Sequence, residues 1–450
     1  MSMSAPNVSG SISGISPNCD ELLAVIVSSA GAPPDVIPKR LLPALKNASS
    51  QIFLLSTSDG KDPLTVLDPE KNTIGFLYFV TTRSYIDRPN NVPGLIQHLV
   101  NFINKFDPEE AKLAIDRFTA IPEALSRLAS GIGKPVLAIR PLVTAIQRLA
   151  PTPAHLTTLH YRFIKICLLS KHYKDALAVL DNDIEEVDPQ RLSINVEDVL
   201  LYHYYGGMAY IGMKRFDRAL EFFSLVISSP SQVTSAIQIE AHKKYVLVSL
   251  LEHGKLLPLP KYTTQVVLRV FKNNCGGYLE FAQAFESLNV TRVKNEFAKV
   301  ADMFTKDKNL GLARQVLQAL YCRNIQQLTQ TYMTLSLADI AKQVGLEGPR
   351  AVHEAEELVV QMIESGQIFA TISHAHAQGG GMVSFDDDPD RYDNGLTLAE
   401  LDARIQRAAA VGERVGKLDR GIGLSKEFLA RVSINIPFHY DLYVVIGMFR

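Results

Sequence analysis

Two histidines, a serine and an aspartate stand in order as His374-x-His376, then Ser384, then Asp387. The pattern is H-x-H-x7-S-x2-D. Two imidazoles and a carboxylate suit Zn²⁺, and three protein ligands leave a fourth position open for an attacking water. The local context argues against that chemistry. The spacer contains Gly379-Gly380-Gly381, which reads as the tip of a hairpin, and Ser384 and Asp387 fall where a second strand and its exit belong. The segment is therefore expected to be a loop rather than a metal centre.

Other reactive side chains read the same way. Cys167 lies near His160 and His172, a nominal thiol–imidazole pair on a helix, but core packing explains it better. Cys19, Cys167, Cys275 and Cys322 are widely spaced and form no CxxC pair, which excludes a thiolate zinc site and a disulfide framework. Gly276-Gly277 lacks the GK[ST] of a phosphate loop and is expected to break a helix. There is no G-x-S-x-G elbow, dinucleotide fingerprint or HExxH motif. The expectation is no catalytic residue, no cofactor and no metal.

The 450 residues include 46 Lys plus Arg and 47 Asp plus Glu, a net charge of −1. That balance argues against a chain whose main task is coating nucleic acid. Hydrophobic residues make 47%, enough for large cores, and no apolar stretch approaches the roughly 18 residues of a membrane span. The first basic residue is Lys39, so the positive start of a signal peptide is missing. These features point to the cytoplasm and nucleus.

The elements that would position any function are mostly helical. Residues 1–40 are expected to be a flexible N-terminal segment. Residues 33–93, rich in proline, suggest short helices or irregular structure. From about residue 94, apolar residues recur at helical spacing, as in Leu95, Leu99, Phe102 and Ile103. HYKDAL at His172 recurs as RFDRAL at Arg215, 43 residues later. Gly207, Tyr210, Phe216, Ala219 and Phe223 match a tetratricopeptide-like helix pair, with Tyr173, Ala176 and Leu180 in the earlier copy. A degenerate third pair, around 240–255, stops at Pro258 and Pro260. Such repeats stack into a solenoid.

The pattern changes near 335. Thr334 to Ala341 reads as a capped short helix, Pro349 to Ser365 as a second helix ended by Gly366, and Ile368–Ile372 with Met382–Phe385 as a two-stranded wing. That order is a winged helix. Its second helix carries Arg350 against Glu354, Glu356, Glu357 and Glu364, the wrong sign for duplex phosphates. A last helix starts near Leu396. Leu398, Leu401, Ile405, Ala408, Val415 and Leu418 form a near-heptad seam that Gly412 weakens.

Helical repeats running into a winged helix and a tail helix resemble the PCI domain family of the proteasome lid, COP9 signalosome and initiation factor 3. The resemblance rests on LHYRFIKICLLSKHYKDAL (159–177), YYGGMAYIGMKRFDRALEFFSLVISSP (204–230), KKYVLVSLLEHGKLLPLPKYTTQVV (243–267), NIQQLTQTYMTLSLADIA (324–341) and the wing ESGQIFATISHAHAQGGGMVSFDDDP. These strings point to the signalosome members of the family. HAHAQGGG lengthens the wing turn relative to the family's pattern.

The resemblance implies a mainly α chain. It has an N-terminal helical-repeat region (41–195) and a PCI domain (196–390), the latter made of repeats (196–330) and a winged helix (331–390). A C-terminal bundle helix (394–432) and a tail of unplaced structure (433–450) complete it. It implies a non-catalytic scaffold in the complex that removes the ubiquitin-like modifier NEDD8 from the cullins of cullin-RING ligases, the metalloprotease being a different subunit. PCI subunits join through their winged-helix sheets and bundle their C-terminal helices. Contacts with other signalosome subunits would then involve Ile368, Phe369, Ala370, Ile372, Val383 and Phe385 in the wing, and Leu398, Leu401, Ile405 and Val415 on the last helix. Cullin-RING ligases would be met through the complex, with no specific nucleic acid and no membrane. The alternative is a scaffold of the proteasome lid or of initiation factor 3. A remote one is a metallo-isopeptidase of the JAMM type, whose zinc-site spacing His374, His376 and Asp387 reproduce.

Overall fold

The computed structural model describes residues 19–30, 37–85, 92–230, 233–346, 348–374, 381–386, 395–426 and 428–430. Contacts divide the chain into two compact units, one through Asn324 and one from Ile325. Helices of eight or more residues are numbered in chain order. The first unit holds α1 (Cys19–Ser28), α2 (Thr73–Ser84), α3 (Val92–Lys105), α4 (Ala120–Gly131), α5 (Ile139–Leu149), α6 (Leu159–Leu169) and α7 (Val196–Gly212). It continues through α8 (Phe216–Ser228), α9 (Ala236–His253), α10 (Gln265–Asn274), α11 (Gly276–Glu286), α12 (Val290–Lys306) and most of α13 (Leu310–Thr329).

Two findings revise the N-terminal expectations. Residues 19–28, inside the segment expected to be flexible, form α1, which buries Cys19, Leu22, Leu23 and Ile26. Their i, i+3, i+4, i+7 spacing is one helical face. α1 seats where Gly75 of α2 carries no side chain: a Cβ there would lie 2.4 Å from Ile26 Cγ2. The proline-rich stretch also contains a full helix. Ten of the twelve residues of α2 are buried, so it is enclosed nearly all round and forms the centre of this region. Phe76 stacks on Phe102, which continues through Phe106 to Phe118.

The repeat expected from HYKDAL and RFDRAL is present. α7 and α8 pack antiparallel through Gly206 and Gly207. A Cβ on Gly206 would lie 2.6 Å from the Phe222 ring, and one on Gly207 2.7 Å from the Phe223 ring. The two copies interlock: Gly206 also faces Leu180, Gly212 faces the Tyr173 ring, and Tyr210 donates its hydroxyl to the Leu180 carbonyl at 3.1 Å. In the earlier copy the second helix is short, a 3-10 turn (Tyr173–Ala176) and one α-turn (Leu177–Leu180).

α9 is buried along most of its length and carries charge inward. Lys243 meets Glu240 at 2.7 Å and Asp307 at 2.9 Å. Tyr278 donates to Asp307 at 2.8 Å, and Asn309 donates to Tyr278 at 3.0 Å. One buried network thus ties α9, α11 and the α12–α13 turn. The expected break at the glycine pair falls at Cys275, between α10 and α11.

The second unit contains β1 (Thr334–Ser336), α14 (Leu337–Val344), α15 (Ala351–Glu364), β2 (Phe369–Ser373), β3 (Met382–Asp386) and α16 (Gly395–Gly423). The wing has three strands, in the order β1-β3-β2, all antiparallel. β1 is a correction to the two-stranded wing. Its three residues are too few for a period to register, and its partner β3 lies some fifty residues on. Ser336 ends β1 and also caps α14, its Oγ accepting from Asp339 N at 3.1 Å. Leu335, Leu337, Ile340, Val344, Ala355, Val359, Met362, Ile368 and Val383 are buried.

Two predictions follow from these contacts. Gly207→Leu drives a side chain into the buried Phe223 ring and should cost about 1–3 kcal/mol or more in a denaturant titration. Gly276→Ala, whose Cβ meets nothing within 4 Å, should stay within about 0.5 kcal/mol. The second concerns pH. Burial pushes His160 and His242 down to about 4 from 6.5. Both are neutral in the folded state at a pH where the unfolded chain binds a proton. Stability is therefore full above about 6.5 and declines toward about 4, at up to about 1.4 kcal/mol per histidine per pH unit. His242→Phe, stacked on Phe271, should flatten the decline measured by unfolding at pH 7, 6 and 5.

Candidate functional site: the wing edge and the terminal helix

Cys167 and His160 do not form a reactive thiol–imidazole pair. Burial raises the Cys167 thiol to about 12 and lowers His160 to about 4, the reverse of a thiolate–imidazolium pair. His160 Nδ1 is 3.0 Å from Thr157 N and 2.8 Å from Thr157 Oγ1, which fix its ring. Of the possible zinc residues, His376 and Asp387 lie outside the described residues. His374 follows β2 and turns its Nε2 toward Glu356 of α15 at 3.5 Å. Ser384 sits mid-strand in β3, opposite Thr371 and Thr334. Among the described residues no three His, Cys, Asp or Glu side chains group as metal ligands.

Two surfaces remain open. The first is the wing. β3 is the central strand, so the outer edges of β2 and β1 carry backbone groups unpaired among the described residues. Period 2 decides which side chains are available. Phe369, Thr371 and Ser373 face outward, with Phe369 41% exposed. Ala370 and Ile372 are half-buried, as is Phe385. Ile368 and Val383 belong to the wing's own core, which corrects their placement on a contact surface. Val383 pairs with both Leu335 and Ile372, so its side chain is enclosed by both neighbouring strands. Met382, at the start of β3, is exposed on the outer face.

The second surface is α16, a 29-residue helix with no buried residue among those described. Leu398, Leu401, Ile405 and Val415 are all more than half exposed. Leu418 and Ile422 join them, and Val411 is 49% exposed. The apolar positions run 398, 401, 405, 408, 411, 415, 418, 422. Steps of three and four alternate except at 405–408–411, where two threes follow each other. Such a stammer moves the stripe round the helix and leaves Gly412 beside the seam rather than in it. An unbroken heptad frame from Leu398 and Leu401 would put Gly412 in the seam and leave out Val411 and Leu418. A stripe of this length in water is costly unless another helix covers it.

The exposed face of α15 carries Glu354, Glu357 and Glu364. His353 lies 3.3 Å from Glu357 and 3.9 Å from Glu356. This is a carboxylate surface, unsuited to a phosphate backbone.

Comparison with known proteins gives two family matches. Residues 40–267 match the model of the N-terminal helical repeats of COP9 signalosome complex subunit 3. Residues 297–386 match the PCI domain. The chain is 34% identical over 373 residues to a Dictyostelium discoideum protein named COP9 signalosome complex subunit 3, covering 82% of this chain and 87% of that one. It is 36% identical over 373 residues to an Arabidopsis thaliana protein of the same name, covering 82% and 84%.

The two classes of wing residue should separate experimentally. Val383→Asp buries an unpaired carboxylate and should destabilise the wing by more than about 3 kcal/mol, visible as lost hydrogen-exchange protection of β3. Phe369→Asp, on the outer face, should cost less than about 1 kcal/mol by the same measurement.

Proposed function

This chain belongs to the COP9 signalosome complex subunit 3 family, and from that premise we propose that it is a non-catalytic scaffold subunit of a COP9 signalosome. The observation that carries the reading is a helical repeat unit with its own buried core, on the same chain as two exposed assembly elements. β2 offers a strand edge and α16 a long apolar stripe. The strand edge suits pairing with a neighbouring winged helix by strand addition. Phe369, Ala370, Ile372 and Phe385 would sit at that junction. The stripe through Leu398, Leu401, Ile405 and Val415 suits a bundle of terminal helices.

In this role the chain positions other subunits while the isopeptidase chemistry takes place elsewhere. The complex removes NEDD8 from cullins, and cullin-RING ligases are met through it. The chain needs no cofactor of its own and acts in the cytoplasm and nucleus. Nucleic acid is not proposed as a partner, given the carboxylates on α15.

The test is affinity purification of the tagged full-length chain followed by mass spectrometry and a zinc assay on the isolated subunit. The expected result is the remaining signalosome subunits in near-equal amounts and a zinc-free lone chain. Recovery of proteasome-lid or initiation factor 3 subunits instead would keep the fold and replace the function. One tightly bound zinc per chain would restore the metallo-isopeptidase reading. Phe369→Asp and Leu401→Asp should each lower recovery of the other subunits at least several-fold with the chain still folded. Unchanged recovery by both would remove the two surface assignments.

A further inference from the structure

The turns of the two interlocked repeats frame a groove of about 660 Å³ in the first unit. Its wall is the Tyr173 ring, laid against the backbone of α7 at Gly212, where a Cβ would come within 2.9 Å of the ring. Lys171, Lys174, Lys214 and Arg215 line it, against one acid, Asp175.

The charges are exposed, and none of the four cations forms an ion pair among the described residues. The helix ends sort them further. Lys171 and Lys214 follow the C-termini of α6 and α7, where the last carbonyls favour a cation. Arg215 is different. It is the N-cap of α8 and provides no side-chain cap, so the first-turn N–H groups lack one. A cation at that end is disfavoured by its own helix. Lys174 occupies the corresponding turn of the earlier copy. The groove thus gathers four side-chain cations beside the uncapped first turn of α8, and both interact favourably with carboxylates.

We propose that this groove, between the turns at 171–175 and 212–215, docks an extended acidic segment of a partner protein, with Lys174 and Arg215 as its main cationic contacts. A peptide fits better than a nucleic acid. Four cations are fewer than the roughly 6–10 phosphate contacts typical of a nucleic-acid footprint. Asp175 and Asp217 beside the groove also interrupt any longer basic track. The proposal concerns a surface separate from β2 and α16 and does not depend on which complex contains the chain.

The test is fluorescence anisotropy with the full-length chain, using labelled deca-glutamate, its deca-glutamine counterpart and a single-stranded deca-thymidine. The expected result is saturable binding of deca-glutamate that weakens with added salt, and little binding of deca-glutamine. Lys174→Glu combined with Arg215→Glu should weaken it at least tenfold. Lys308→Glu, an exposed lysine in another turn, should leave it within twofold. Lys171→Gln combined with Lys214→Gln provides a milder second variant should the first not fold. Equal binding of deca-glutamine would overturn the proposal, as would unchanged affinity in a folded groove variant. Tighter binding of deca-thymidine, lost in the same variants, would overturn it in favour of nucleic acid.

Discussion

The absence of side chains at Gly206 and Gly207 sets the geometry of the repeat core. With hydrogen at both positions, α7 approaches α8 until Phe222 and Phe223 lie against backbone. Leu180 from the earlier copy enters the same space, and Tyr210 closes it by bonding the Leu180 carbonyl. One close approach therefore fixes a helix pair and also joins that pair to the preceding one. Stacked repeats depend on such nearest-neighbour interfaces for stability. Gly75 serves a similar purpose near the other end of the unit, where α1 lies on α2.

Buried charge supplies a different kind of specification. Burial by itself opposes the Lys243 ammonium, yet Glu240 and Asp307 overcome this and hold its pKa above the usual lysine value. Lys244, beside the same Glu240 but 3.7 Å from it, is pushed below that value by burial. The difference is geometric: Lys243 has two carboxylates at hydrogen-bond distance. The network also includes Tyr278 and Asn309, so polar groups taken from water find partners in one another. Apolar contact alone would let α9 rotate among several neighbours, whereas these bonds are satisfied in one register.

The two units follow opposite rules. In the first, the repeat helices turn their apolar faces inward and the turns are left to carry charge. In the second, the winged helix buries a small core and leaves a strand edge and the apolar stripe of α16 exposed among the described residues. An open edge and an apolar stripe are liabilities for an isolated chain, and they make sense in one whose final packing includes other subunits. The same contrast places individual polar side chains. Cys167 and His160 are core, with pKa values moved away from reactivity, and His374 rests against Glu356 at the end of the wing.

Much of this was legible in the sequence because it rests on local periodicity. The recurrence of HYKDAL as RFDRAL, with Gly207, Ala219 and Phe223 between helices, announces the repeat. The helix–turn–helix–strand order announces the winged helix, and Leu398, Leu401 and Ile405 announce the exposed stripe. What depended on contacts distant in the chain was decided only by the tertiary structure. β1 is three residues long and exists because β3 pairs with it. Val383 is core because strands flank it on both sides, whereas Phe369 on the edge strand is not. α1 is ordered because Gly75 leaves room for Ile26. The groove of Lys174 and Arg215 exists because two turns 43 residues apart become neighbours when Tyr173 settles on Gly212. Helical period is a property of neighbouring residues, and so it can be read from a sequence. Enclosure, edge position and shared charge are properties of the packed chain, fixed when distant segments meet.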